Sequence, residues 1–147
     1  MSESYQIIAT DWETSRGHLL SVRKAVFVIE QGVPEEIEED EDDPRSAHFL
    51  ARDGAGEPVG TARLLPEGRI GRVAVLREWR SRGVGRALMQ AAMAAWGERG
   101  GGSLRLHAQS HSIPFYASLG FLAEGPEFDE AGIPHREMRW DGGQKPA

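Results

Sequence analysis

The chain has 147 residues, 39% hydrophobic and 27% charged, and contains no cysteine. That length and balance fit a water-soluble fold with a substantial core, and the missing cysteine excludes disulfides, thiolate metal sites and a cysteine nucleophile. The net charge of −6 has one source: eight of the nine positions 35–43 are acidic, and the rest holds 15 acids against 17 Lys and Arg.

Residues 5–9 alternate loosely and read as a first strand. Thr14 or Ser15 can cap a helix that runs to about residue 30, with Leu19, Val22, Val26 and Ile29 as its buried stripe. Gly32 and Pro34 end it. The acidic run reads as a solvated loop of mutually repelling charges. Its functional reading is a negative rim that attracts a cationic amine. Residues 47–52, 58–65 and 70–76 are three strands joined by turns at 53–57 and 66–68, which implies an antiparallel meander.

Next comes Arg80-Ser81-Arg82-Gly83-Val84-Gly85-Arg86-Ala87. Val84, Ala87, Leu88, Ala91, Ala92 and Ala95 recur at the period of one helix face. A strand, a basic glycine loop and a helix N-terminus aim free N–H groups and the helix dipole at one point, which makes an anion site. The glycines let a phosphate approach the backbone. Taken alone, the loop is equally a tight turn with no ligand.

Residues 97–103 form a glycine-rich stop. Leu104, Leu106 and Ala108 alternate as a fifth strand, and 109–112 is a loop. Residues 113–119 make a short helix, a sixth strand begins at 121–123, and 127–134 is a loop. A last strand covers 135–140, so residues 1–141 form one domain and 142–147 a frayed tail. Strands four and five, joined through a helix, should be parallel neighbours with a right-handed crossover. The fold class is therefore α/β in the α+β sense: a mostly antiparallel mixed sheet with one parallel pair and flanking helices. No apolar run reaches the length of a membrane span, the residues MSESYQ show no basic-then-apolar signal pattern, and no basic stripe is interleaved with aromatics. The expected location is cytoplasmic, with neither membrane nor nucleic acid as partner.

Three segments together resemble the GNAT superfamily of N-acyltransferases. Arg80, Gly83 and Gly85 fill its Arg/Gln-x-x-Gly-x-Gly/Ala loop. Arg72-Val73-Ala74-Val75 is similar to the strand that bonds the pantetheine arm of coenzyme A, and Phe115-Tyr116-Ala117-Ser118-Leu119-Gly120-Phe121 to its F-Y-x-x-x-G-F segment. Val26-Phe27-Val28-Ile29-Glu30-Gln31, with Glu127-Phe128, Gly132-Ile133-Pro134-His135 and Met138, resembles the ElaA-like group. The resemblance implies the GNAT fold and acetyl-CoA as cofactor. It implies a site made of Val73, Ala74 and Val75, then Arg80, Ser81, Arg82, Gly83, Val84, Gly85, Arg86 and Ala87, then Ser112, Phe115 and Tyr116.

It also implies acetyl transfer by direct attack of a primary amine of a small molecule or peptide. The alternative is a non-catalytic acyl-CoA-binding or sensing protein. Deprotonating a lysine-type amine at pH 7 costs roughly 4.6 kcal/mol, so a base is needed. The resemblance places the general acid at Tyr116, whose phenol can protonate the leaving thiolate, and a carbonyl-oxygen donor at a strand-four bulge around Val75. Many members carry a glutamate base on strand four; here Arg69 and Arg72 occupy that strand. Glu30 is the leading substitute, with a helix-end salt bridge as its other reading. His135 is the second candidate, with a structural histidine as its other reading. Arg63 and Arg72 either hold a substrate carboxylate or pair with acids of the 35–43 run. Gln109 stands where many members have asparagine. The scattered histidines offer no metal site, and a homodimer is an expectation from analogy alone.

Overall fold

A computed structural model of the chain describes residues 4–35 and 39–142. Positions 36–38 of the acidic run and 143–147 of the expected tail lie outside it. Among the described residues seven strands form one sheet: β1 (Tyr5–Thr10), β2 (Ala47–Asp53), β3 (Pro58–Leu64), β4 (Arg69–Val75), β5 (Leu104–Gln109), β6 (Leu122–Glu130) and β7 (Ile133–Trp140). Their order is β1-β2-β3-β4-β5-β7-β6. Every neighbouring pair is antiparallel except β4 and β5, which is the mixed sheet that the element order implies.

Side chains of a strand alternate between faces, and β2 shows what covers each face. Phe49 and Ala51 pack with Val84, Leu88, Met89 and Ala92 of helix α2 (Val84–Glu98), while Leu50 between them packs with Trp12 and Leu19 of helix α1 (Trp12–Arg23). The two helices therefore cover opposite faces. A short helix α3 (Ile113–Ala117) follows β5 through a tight turn at Ser110–Ser112.

Ile29, expected in the buried stripe, is 75% exposed, and other expectations need correction. α1 is capped by Asp11, whose side chain accepts from the Thr14 N–H at 2.8 Å; Thr14 and Ser15 lie inside the first turn. Beyond Arg23 the helix widens into a π-helical segment, Lys24–Glu30, closed by Gly32 at φ 75°. Residues 127–134 are not a loop: β6 continues to Glu130 and β7 starts at Ile133, with Ala131 and Gly132 as the turn. A register shift between Glu124 and Phe128 lets β6 resume pairing after Gly125 and Pro126, and that interruption hides the strand from pattern reading.

The acidic run is also only partly solvated. Asp43 is fully buried and takes both guanidinium nitrogens of fully buried Arg23, at 3.0 and 3.1 Å. Arg63 reaches Asp43 at 3.0 Å and Asp40 at 2.7 Å, and Arg72 reaches the other Asp40 oxygen at 3.0 Å. The arginines of β3 and β4 thus pair with the run, the second of the two readings given for them. His48 is buried beside this network with Nε2 2.9 Å from the Asp43 carbonyl, and burial pushes its pKa down.

Candidate active site

The centre of the sheet opens because its one parallel pair is short. β4 and β5 pair only at Arg69 with Arg105 and Ile70 with Leu106, whereas β5 goes on pairing with β7 as far as Gln109. Past Ile70 the β4 edge, residues 71–75, has no β5 partner. β4 also carries a bulge, since Thr61 faces Ala74 while Arg63 faces Gly71. Arg72 lies in it at φ 52°, a region costly for a residue with a side chain, and the Thr61 hydroxyl pins it by donating to the Arg72 carbonyl at 2.9 Å. The bulge therefore centres on Arg72 and Val73, not on Val75.

On one side of the split lies a groove of about 410 Å³, lined by Val73, Val75, Arg80, Ser81, Gly83, Val84, Gly85, Arg86, Ser112, Phe115 and Tyr116, with Trp79 added. Three expected members stand elsewhere. Ala74 is buried against Val22 and Val26 on the α1 face. Ala87 does not line the groove. Arg82 turns its guanidinium over the Trp79 ring, 4.8 Å from its centre.

Gly83 caps α2 at φ 85° with no side-chain cap, and the first bond back to it comes from the Ala87 N–H. The N–H groups of Val84, Gly85 and Arg86 consequently have no carbonyl within the helix. A Cβ on Gly85 would stand 3.5 Å from the Phe115 ring and 3.7 Å from Val75, so glycine keeps the groove floor open. Free N–H groups, a helix dipole, Arg80 and Arg86 make a cradle whose chemistry fits a pyrophosphate.

On the other side is a chamber of about 480 Å³. Phe27, Gln31 and Val33 wall it from the π-helical segment and its exit, and Glu39 and Asp40 from the acidic run. Arg72 and Val73 line it from β4, Gln109 from β5, and Glu130, Ala131, Ile133 and His135 from the β6–β7 turn. Val73 and Tyr116 line both spaces. A narrower space between them touches Gln31, Arg80, Gln109 and His111. Gln31 and Gln109 exchange two amide hydrogen bonds, at 3.2 and 3.0 Å, across this neck.

The candidate acid and bases divide sharply. Tyr116 is buried, its ring 5.0 Å from Phe115 and 6.3 Å from Phe121 in edge contacts, and burial pushes the phenol pKa above its usual value. His135 is 7% exposed, stacks on Phe128, and has Nδ1 2.7 Å from the Ile133 carbonyl. A carbonyl only accepts, so Nδ1 carries the proton and the neutral ring keeps its lone pair at Nε2. Glu30 lines neither the groove nor the chamber. Its two oxygens take both terminal nitrogens of Arg80, at 2.6 and 2.7 Å, and the Arg80 bonds hold its carboxyl below the usual carboxylate range. Phe27, Trp79 and the Gln31–Gln109 bridge escaped sequence reading, because partners up to 78 positions apart leave no local pattern.

A split parallel pair, a bulged β4 and a phosphate cradle at the next helix are the architecture of an acyl-CoA N-acyltransferase. Residues 9–141 match the family model described as an acetyltransferase (GNAT) domain. The chain belongs to the GNAT acetyltransferases and is an N-acyltransferase enzyme. It is 40% identical over 124 residues to the uncharacterized N-acetyltransferase YjcF of Bacillus subtilis, covering 82% of this chain and 88% of that one. The crystal structure of Escherichia coli ElaA superposes with a TM-score of 0.82 at 32% identity, over 94% of this chain and 99% of ElaA. An acyl-CoA N-acyltransferase from Pseudomonas aeruginosa gives 0.82 at 31% identity, over 93% and 99%. The ElaA-like motifs thus point to the right group. Among the described residues no helix is long and apolar enough to cross a membrane.

Proposed function

We propose that the enzyme transfers the acetyl group of acetyl-CoA to a primary amine of a small molecule or peptide by direct attack. The observation that carries this reading is the position of Val73 and Tyr116, shared by the phosphate-fitting groove and the acceptor chamber. Bound acetyl-CoA supplies an activated thioester there. Arg80, Arg86 and the N–H groups of residues 84–86 would hold its pyrophosphate, and the freed β4 edge its pantetheine arm.

The remaining work falls to side chains on the chamber wall. Three carboxylates, Glu39, Asp40 and Glu130, line the chamber; Arg16 holds the first and Arg63 and Arg72 the second, which leaves Glu130 as the acid that would draw in a protonated amine. His135 takes that amine's proton at Nε2, the nitrogen left bare by the Ile133 contact. The β4 edge that β5 leaves past Ile70 would offer backbone N–H to the charge that builds on the carbonyl oxygen. Tyr116 would give its hydroxyl proton to the sulfur as the C–S bond breaks and regain one from the second proton that the acylated nitrogen sheds. Glu30 lines neither the groove nor the chamber, so this reading gives the base to His135.

Thiol release from acetyl-CoA across a panel of primary amines tests the reaction. Release that depends on added amine is the expected result. Coenzyme A binding with no release from any amine would favour the binding-only alternative.

The groove has its own test. Gly85→Ala leaves the backbone unstrained and places a methyl in ordinary contact with Phe115 and Val75. Melting temperature should hold or rise slightly, since alanine suits a helix better than glycine. Coenzyme A affinity, by calorimetry, should fall about 5-fold, or about 1 kcal/mol.

A further inference from the structure

We infer that Glu30 is an internal stand-in for phosphate: it holds the Arg80 fork until a pyrophosphate enters the loop, and then surrenders it. The inference rests on the reading of residues 80–87 as the coenzyme A loop.

Each of the three Arg80 nitrogens is engaged, through three of its five N–H donors. Nε donates to the Val75 carbonyl at 2.9 Å, and the two terminal nitrogens go to the two Glu30 oxygens at 2.7 and 2.6 Å. The Nε bond anchors the guanidinium to the end of β4, at the wall of the groove and of the neck. The remaining fork is then presented to one planar anion, and a guanidinium fork suits carboxylate and phosphate equally. Glu30 lies 50 positions from Arg80, so no local geometry forces them together.

A pyrophosphate on the N–H groups of α2 would arrive beside the same fork. Two anions cannot share it without repulsion. Phosphate has the open helix N-terminus as a second hold. Glu30 has Arg77, at 3.4 Å on a mostly exposed side chain, as its second partner. Exchange therefore moves Glu30 toward Arg77 and water while the Nε anchor stays. The exchange also reaches the acceptor side, because Glu30 ends the segment whose Phe27 and Gln31 wall the chamber. Donor binding would release the Arg80 tie of that segment while the Gln31–Gln109 bridge stays.

Calorimetric titration of wild type, Glu30→Gln and Glu30→Ala with coenzyme A, 3′-dephospho-coenzyme A and pantetheine tests this. Both variants should bind coenzyme A about 5–10-fold more tightly than wild type, the scale of a removed competing ion pair. The dephospho ligand should gain equally, which assigns the exchange to the pyrophosphate, and pantetheine should gain nothing. Equal or weaker coenzyme A binding by both variants would overturn the inference and make the Glu30–Arg80 pair a fixed strut. A gain shared by pantetheine, or lost with the dephospho ligand, would also overturn it. Failure of wild type to bind coenzyme A at all would instead remove the loop reading on which the inference rests.

Discussion

Asp43→Ala is expected to cost about 3–5 kcal/mol of folding stability, the usual loss when one partner of a buried ion pair is removed. That is a large share of a domain's typical 5–15 kcal/mol (roughly). The substitution strands Arg23, with no exposed side chain, and leaves Arg63, 7% exposed, with Asp40 alone. The Nε atoms of both arginines already lack a partner among the described residues, so the network has no reserve. Asp43 also accepts the Asp40 N–H at 3.0 Å. Its loss should therefore loosen the acidic wall of the acceptor chamber as well.

Burial alone would raise the Asp43 carboxyl, but the bonds from Arg23, the Asp40 N–H and Arg63 outweigh it and hold the pKa below the usual carboxylate range. A carboxyl lowered on folding contributes stability that is complete above its unfolded pKa, about 3.9, and is lost as pH falls through the folded value. Wild type should keep the contribution to about pH 4 and lose it below. Asp43→Asn should be less stable at neutral pH yet fall less steeply in acid. Urea unfolding across that range measures both slopes; equal slopes would mean that folding does not lower the Asp43 pKa.

What the sequence revealed tracks how local the cause is. The 80–87 loop is legible because strand, glycines and helix stripe are adjacent; Gly83 takes a positive φ, and a Cβ on Gly85 would meet Phe115 and Val75. The parallel β4–β5 pair followed from the intervening helix, but not its early end at Ile70, which depends on how β7 inserts beside β5. Asp11 caps α1 through an Asp-x-x-Thr pattern that competes in sequence with the hydroxyls three and four positions on. Asp43 could not be singled out among eight acids. Its burial is set by Arg23 on α1 and Arg63 on β3, each 20 positions away. Glu30 became a base candidate from its place at a helix end. The fork that occupies it comes from the loop after β4.

Tyr116→Phe is expected to lower amine turnover 10–100-fold, roughly 1.4–2.7 kcal/mol of barrier, while coenzyme A affinity stays within about twofold of wild type. The substitution removes one oxygen and keeps the ring, so edge contacts to Phe115 and Phe121 persist. Groove and chamber should keep their shape, which separates a proton-donor role from packing against the cofactor arm. Burial raises the phenol's pKa above its ordinary value of about 10, so Tyr116 stays protonated across any practical assay range and remains a donor. Its ionisation should therefore produce no alkaline fall in wild-type turnover below about pH 10. The residual rate of Tyr116→Phe should become sensitive to the leaving group. A thioester that releases a more acidic thiol needs less proton donation, so the gap between wild type and variant should narrow with it. Turnover unchanged by Tyr116→Phe, or a gap independent of thiol acidity, would move the acid elsewhere and leave Tyr116 as a wall shared by the two spaces.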